Sequence, residues 1–271
     1  MFRKIAFTAA LAGMIALFCC GCSKKAGTTF TVGFDASFPP YGFIGADGNY
    51  TGFDLDLAQE VCNRLGWELV KKPVDWPAKD AELNAGTIDC IWNGFTITDE
   101  RKTQYTWSEP YVQNNQLLLV RADSGIKSLA DLNGKAVVVQ DGSSGASAME
   151  EAVSKAQQAN PAFALREYKK VPDYNTAYVM LDSKAVDAIG LDSAVAKGFV
   201  DKSAGKFVIL DEPLAAEMFG IGFKLGNEAL RDQVQTVLKE MVKDGTCAKI
   251  LEKWHANTKD GGDGIDFILQ P

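Results

Sequence analysis

The sequence predicts an α/β protein of two similar lobes, each carrying a mostly parallel sheet. Three observations lead there. Apolar runs of strand length alternate with helical stretches along most of the chain, the pattern of parallel strands joined by crossover helices. Two segments echo each other, Thr87-Ile88-Asp89-Cys90-Ile91 and Ala185-Val186-Asp187-Ala188-Ile189, each following a helix and leading into polar residues. The 271 residues, 46% hydrophobic and 23% charged, suit one large or two medium globular domains. Ligands of open α/β sheets bind at the C-terminal ends of strands, so functional residues are sought there.

The N-terminus stands apart. Met1-Phe2-Arg3-Lys4 is basic, and Ile5 to Phe18 is an apolar run too short for a confident membrane span. Residues 1–21 read as a secretory signal. Gly21-Cys22, directly after the apolar run, resembles the lipobox of bacterial lipoproteins. That resemblance implies Cys22 as the new N-terminus, lipidated (palmitate among the acyl groups), with residues 22–28 as a tether. Plain secretion with processing nearby is the alternative. Cys62, Cys90 and Cys247 then remain, an odd number in an oxidising compartment, so at most one disulfide forms among them. Cys90 reads as a small core residue, which leaves Cys62 with Cys247 as the only pair to consider. The cysteines lack zinc spacing and His255 is the only histidine, so neither a metal nor a cofactor is expected. A net charge of −7 without a Lys/Arg-rich patch argues against nucleic acid.

Taken in order, Phe30 to Phe34 alternates as a first strand and runs into the rigid loop Asp35-Ala36-Ser37-Phe38-Pro39-Pro40. Asp47-Gly48 between Ile44 and Tyr50 marks a hairpin turn. A helix over about 52–65 is predicted by the stripe Leu57, Ala58, Val61, Cys62 and Leu65. A strand over 68–70 and a helix over 76–83 follow, then a strand over 88–91. After Tyr111 the pattern restarts: strand 116–120, short helix 128–132, and strand 136–140 entering Asp141-Gly142-Ser143-Ser144-Gly145. A helix from about Ala146, a strand over 163–168, a helix over 173–183 and a strand over 188–191 complete the second lobe. Leu230, Val234, Val237, Leu238, Met241 and Val242 recur at helical spacing up to the stop Asp244-Gly245, and Cys247, Ile250, Leu251 and Trp254 add a final amphipathic turn or two. Asp260-Gly261-Gly262-Asp263-Gly264 lacks the spacing and terminal Glu of a calcium loop and reads as a solvated turn.

The most informative stretch is Trp92-Asn93-Gly94-Phe95-Thr96-Ile97-Thr98-Asp99-Glu100-Arg101-Lys102. Thr98 reads as the N-cap of a helix with Asp99 and Glu100 in its first turn. Arg101 opposes the positive field of such a helix start, which suggests a counter-charge supplied from elsewhere. Free N–H groups at a strand-to-helix turn plus one guanidinium form a receptor for a carboxylate-sized anion. A surface arginine paired with Asp99 or Glu100 explains these residues equally well.

Gly52-Phe53-Asp54-Leu55-Asp56-Leu57-Ala58-Gln59-Glu60-Val61 resembles the signature of solute-binding protein family 3, the amino-acid-binding proteins of bacterial ABC importers. Asp35-Ala36-Ser37-Phe38-Pro39-Pro40-Tyr41-Gly42-Phe43, Thr96-Ile97-Thr98-Asp99-Glu100-Arg101 and Lys243-Asp244-Gly245-Thr246 resemble further family stretches in family order. The resemblance implies a two-lobe clamp of the type II periplasmic-binding-protein class, closing by a hinge. Residues 29–112 plus 214–271 would form lobe one and residues 113–213 lobe two, with crossings near Asn114–Gln116 and Pro213–Glu217. It also implies a monomer, anchored outside the cytoplasm, that captures a free amino acid and delivers it to ABC permease subunits.

By the same resemblance, Arg101 grips the ligand α-carboxylate, Thr96 and the backbone of Gly94 add hydrogen bonds, and Asn93 is a weaker candidate. Asp192 accepts the α-ammonium, and Ser143 and Ser144 reach the carboxylate from the second lobe. Phe38 and Trp76 stack the ligand side chain and Asp35 contacts it. Each has a structural alternative: a cap for Asp192, loop packing for Phe38, core for Trp76, a turn acid for Asp35, loop backbone for Asn93. Asp54 and Asp56 read as structural residues at a helix N-terminus. An acid with aromatic faces suits a basic side chain or a glutamine amide. Without Arg or Lys in the aligned lobe-one loops, Glu or Asp is the least favoured ligand. The competing reading is a cyclohexadienyl dehydratase-like enzyme of the same architecture. No Ser-His-Asp set or Gly-x-Ser-x-Gly motif supports catalysis, and no catalytic residue is assigned.

Overall fold

The computed structural model describes residues 27–271; the signal, Cys22 and its expected lipid lie outside the described residues. Lobe one opens with β1 (Thr29–Phe34), which leads into a small sheet of β2 (Ser37–Phe38), β3 (Gly42–Ile44) and β4 (Tyr50–Thr51). Gly48, at φ 79°, makes the β3–β4 turn. There follow α1 (Phe53–Leu65), β5 (Glu68–Pro73), α2 (Lys79–Ala85), β6 (Cys90–Thr96) and β7 (Tyr105–Trp107), and the long β8 (Val112–Arg121) then crosses to the second lobe. Lobe two holds β9 (Ala136–Gln140), α3 (Ser144–Ala159), β10 (Glu167–Val171), α4 (Tyr174–Asp182), β11 (Ala188–Asp192), α5 (Ser193–Lys202) and β12 (Phe207–Ile209). The long β13 (Ala215–Lys224) leads back to α6 (Glu228–Lys243), α7 (Thr246–His255) and β14 (Asp266–Phe267).

Apolar spacing sets the helices. α1 buries Leu57, Ala58, Val61 and Cys62 along the predicted stripe, each large side chain contributing about 1.5–3 kcal/mol. Gly66 ends it in the left-handed conformation, where a side chain would be strained.

The main sheet is mixed, not mostly parallel. Its order is β10-β9-β11-β8-β13-β6-β1-β5. β1 lies between β5 and β6, and β9 between β10 and β11, all parallel. Two antiparallel strands join these modules. The first half of β8 pairs with the first half of β13, with Gln116 opposite Ala215 and Asn114 opposite Glu217. The second half of β8 then pairs with β11, and that of β13 with β6. Consequently β6, β9 and β11 bring their C-terminal ends to one cleft.

Other expectations are corrected. The helix expected after Thr98 is a single 3-10 turn, Arg101–Thr103; the polar segment offers no apolar stripe to bury. The residues before it, Trp92–Thr96, continue β6 and form no strand-to-helix turn. The strand placed over 163–168 is β10, at Glu167–Val171, while Phe163 is a buried loop residue. The Gly261–Gly262 turn is packed, not solvated: a Cβ on Gly261 would lie 2.0 Å from the Ala194 carbonyl oxygen. Cys62, Cys90 and Cys247 are buried free thiols, so the Cys62–Cys247 pair does not form here.

Candidate functional site

A cavity lies between the lobes, where the strands end. It is lined by Asp35, Phe38, Trp76, Asn93, Gly94, Thr96 and Arg101 from one side, and by Gln140, Ser143, Ser144 and Asp192 from the other. All ten candidates named from the sequence converge there, joined by Gln140. The closing of β1 places Asp35, β6 supplies Asn93 to Thr96, β9 ends on Gln140, and β11 ends on Asp192.

At one end stands Arg101. Its guanidinium donates to the Thr96 carbonyl at 3.2 Å and, across the cleft, to the Gly142 carbonyl at 2.9 Å. It lies 4.7 Å from the Phe95 ring. Among the described residues no carboxylate pairs with it, and burial lowers its pKa. Asp99, a partner in the surface alternative, pairs instead with Lys102 at 2.6 Å. Thr98 does accept the Arg101 N–H, at 3.2 Å. One 3-10 turn has too few aligned peptides for an appreciable macrodipole, so the lack of a protein carboxylate now marks this cation.

Asp192 faces it from lobe two. Its side chain makes no helix cap. Instead Oδ1 accepts from Asn114 Nδ2 at 2.8 Å and Gln116 Nε2 at 2.6 Å, and Oδ2 from the Tyr174 hydroxyl at 3.1 Å. All three donors are neutral. Burial, and next the Glu217 carboxylate, push its pKa up, because ionisation here is opposed by desolvation and like charge.

The polar wall between them is heavily committed. Thr96 Oγ1 lies 3.0 Å from Ser144 Oγ, and both contact Glu217 Oε2, at 3.0 and 3.1 Å. Asn114 and Gln116 donate to the same oxygen. Ser143 caps α3: its hydroxyl donates to the Gln140 carbonyl at 2.7 Å and accepts from the Ala146 N–H at 3.1 Å. That hydroxyl is not free to donate to a carboxylate as expected. The first N–H groups of α3, at Ser144 and Gly145, have no intrahelical partner, which leaves them able to hold an anion. Gly94 donates its N–H to Asp54 Oδ2 at 2.7 Å, so only its carbonyl is available to a ligand.

At the other end Asp35 is buried, its pKa pushed up to about 6 by desolvation. Bonds from the Ser37 N–H, at 2.7 Å, and Gln140 Nε2, at 2.5 Å, offset this in part. Asn93 Oδ1 accepts the Asp35 N–H at 3.0 Å, the loop-bracing role considered for it, while Nδ2 is buried without a partner. Phe38 stacks 5.5 Å from Tyr41 and lies 5.8 Å from Tyr174 across the cleft. Trp76 is buried, with its ring edge-on to Phe95 at 5.6 Å.

Sequence reasoning missed three residues. Gln140 could be found as the polar end of the apolar run Ala136 to Val139. Glu217 lies in a crossing segment without a strand pattern. Lys79 begins α2 and is 4% exposed, its Nζ 5.1 Å from the Trp76 ring and 3.3 Å from the Gly142 carbonyl oxygen. Burial and next Arg101 lower its pKa to about 8. Among the described residues no cluster of three or more His, Cys, Asp or Glu side chains could hold a metal.

Residues 30–257 match the bacterial extracellular solute-binding proteins, family 3. The chain is 34% identical over 228 residues to the L-cystine-binding protein TcyJ of Escherichia coli K12, covering 83% of this chain and 82% of the relative. It is 30% identical over 251 residues to the arginine-binding extracellular protein ArtP of Bacillus subtilis 168, covering 90% and 94%. An ABC uptake transporter substrate-binding protein from Streptococcus pneumoniae, solved with bound histidine, superposes with a TM-score of 0.76 at 32% identity, covering 84% of this chain and 92% of that one.

Proposed function

The chain belongs to the bacterial extracellular solute-binding proteins of family 3, and on that premise we propose that its cleft captures a free polar amino acid for delivery to ABC permease subunits. One observation carries the reading. A desolvated cation, Arg101, and a buried acid, Asp192, stand on opposite lobes without a protein counter-charge, and a zwitterion supplies one for each. The ligand carboxylate meets Arg101 and the α3 N-terminus, and the Thr96 and Ser144 hydroxyls reach it only by turning away from Glu217. Its ammonium meets Asp192 and the Gly94 carbonyl. Its side chain lies against Phe38 and Trp76 and points to Asp35. The lobes are residues 29–112 plus 214–271, and 113–213, hinged where Asn114–Gln116 faces Ala215–Glu217.

The protein is read as a binder, not an enzyme; the relatives named above are binding proteins. Cys22 carries a lipid that holds the monomer outside the cytoplasm. No helix among the described residues is long and apolar enough to cross a membrane. An acid between aromatic rings favours a basic side chain, with a glutamine amide second. A thermal-shift screen of the common amino acids and cystine tests the proposal. A ligand at 100 times its Kd should stabilise the protein by about 2.7 kcal/mol. If no amino acid raises the melting temperature, the proposal fails.

A further inference from the structure

Glu217 stands on β13 opposite Asn114 of β8 and does not line the cavity. Four donors nevertheless converge on its Oε2. Asn114 Nδ2 and Gln116 Nε2 approach at 3.2 and 3.1 Å, the Thr96 hydroxyl at 3.0 Å and the Ser144 hydroxyl at 3.1 Å. Both amides also donate to Asp192 Oδ1, at 2.8 and 2.6 Å, so turning either over would set its oxygen against two carboxylates. The Asn114 oxygen is occupied as well, accepting from the Ser193 N–H and hydroxyl at 3.3 and 3.0 Å. These amides fix Oε2 in place.

Thr96 Oγ1 and Ser144 Oγ lie 3.0 Å apart, so with Oε2 they form a triangle of oxygens with sides of 3.0, 3.0 and 3.1 Å. A hydroxyl carries one proton, so two protons serve three contacts. Either both point to Glu217, or one points to the other hydroxyl, which then donates to Glu217. In each arrangement both protons stay inside the triangle, and the hydroxyls offer a ligand lone pairs only. A hydroxyl that turned its proton to a ligand would leave two of the three contacts without a proton, one of them to the carboxylate oxygen. Lone pairs suit an ammonium, which only donates, and give nothing to a carboxylate, which only accepts.

We infer that Glu217 is a positioning residue for capture: from outside the cavity it withholds the Thr96 and Ser144 protons from the ligand carboxylate, which leaves that group to Arg101 and the α3 N–H groups and makes binding depend on the ligand ammonium. This role rests on the reading of the cleft as an amino-acid site.

The test uses the amino acid that raises the melting temperature most and its deamino acid, identical but for hydrogen in place of the α-ammonium (for L-arginine, guanidinovalerate). Displacement calorimetry on the mature chain is run at about pH 8.5, where Asp192 is ionised with or without the Glu217 charge. The wild-type protein should bind the amino acid at least about 100-fold more tightly than the deamino acid. Glu217→Gln removes the charge but keeps an acceptor for the four donors, whereas Glu217→Met removes both and frees the hydroxyls. The deamino acid should gain at least about fivefold more affinity in Glu217→Met than in Glu217→Gln. A smaller margin, or no gain in Glu217→Met, overturns the assignment. Thr96→Val decides the matter if Glu217→Met does not fold. With Glu217 in place the lost hydroxyl should cost the deamino acid less than about twofold, and a larger loss shows that its proton does reach the carboxylate. A wild-type protein that binds the two ligands alike also overturns the role of Glu217, although the amino-acid reading of the cleft then stands. If the wild-type protein binds none of the common amino acids, that reading falls and the role of Glu217 falls with it.

Discussion

Arg101 concentrates the chemistry of the cleft in one side chain. Its protein partners are two carbonyl oxygens, one from each lobe, so the guanidinium is hydrogen-bonded but not neutralised. In the proposed function a ligand carboxylate supplies the missing charge and replaces a neutral acceptor with a bidentate one. Arg101→Ala should therefore leave a buried carboxylate unpaired, at about 3–5 kcal/mol. That corresponds to an affinity loss of roughly 100- to several thousand-fold at about 1.4 kcal/mol per decade. Calorimetry showing a loss of less than about threefold would sink the carboxylate role. At this scale much was legible. An arginine placed against its local preference, and acids and aromatics after strand ends, mark residues that do gather around the cavity. Their hydrogen-bond commitments were not legible. That the Ser143 hydroxyl is spent on a cap, or that four donors crowd one oxygen of Glu217, depends on partners up to 121 residues away.

Between residue and fold, β6 and α1 show how one element holds another in place. Gly94 sits in β6 at φ 53°, with Phe38 and Phe219 packed so closely that a Cβ would lie 2.7 and 3.0 Å from their rings. Asp54, from the second turn-forming position of α1, is fully buried and accepts both the Gly94 N–H and the Tyr111 hydroxyl, at 2.7 and 2.8 Å. It anchors the ligand-facing strand to the first helix instead of complementing a helix end. Asp54→Ala leaves two buried donors without partners, at about 1–3 kcal/mol each, so the protein should lose roughly 2–6 kcal/mol. Asp54→Asn retains an acceptor and should lie much closer to wild type. Denaturant unfolding at neutral pH decides it, and a cost below about 1 kcal/mol for the alanine variant would rule the anchor out. Elements with an apolar stripe, α1 and α6, could be read within a residue or two. β13 could not: Ala-Ala-Glu-Met-Phe-Gly-Ile-Gly-Phe-Lys has no clean alternation, because its two halves pair with different strands.

Across the whole molecule, closure gathers acids in dry surroundings, and this gives stability and affinity opposite pH dependences. Burial holds Asp35 at about 6 and Asp54 at about 7, and raises Asp192 as well. An acid whose pKa is higher folded than unfolded binds its proton more tightly when folded. Its contribution to stability is present at low pH and is lost as pH rises through the folded value. The protein without ligand should thus gain stability as pH falls from about 7.5 to about 5. Below that, salt-bridged or hydrogen-bonded acids held below their usual range, including Asp187, Asp131 and Asp99, begin to lose their contacts and the trend reverses. Capture of a basic amino acid runs the other way. Its cationic end needs Asp35 ionised and its ammonium needs Asp192 ionised, so binding expels protons and weakens on acidification. Each pH unit below about 6 should cost up to about tenfold in affinity through Asp35 alone. Asp54 does not line the cavity and contributes to the stability trend only. Calorimetry and denaturant unfolding at pH 7.5 and pH 5 separate the two effects. Equal affinity at both pH values would mean that the acids of the cleft do not receive the ligand's cationic groups.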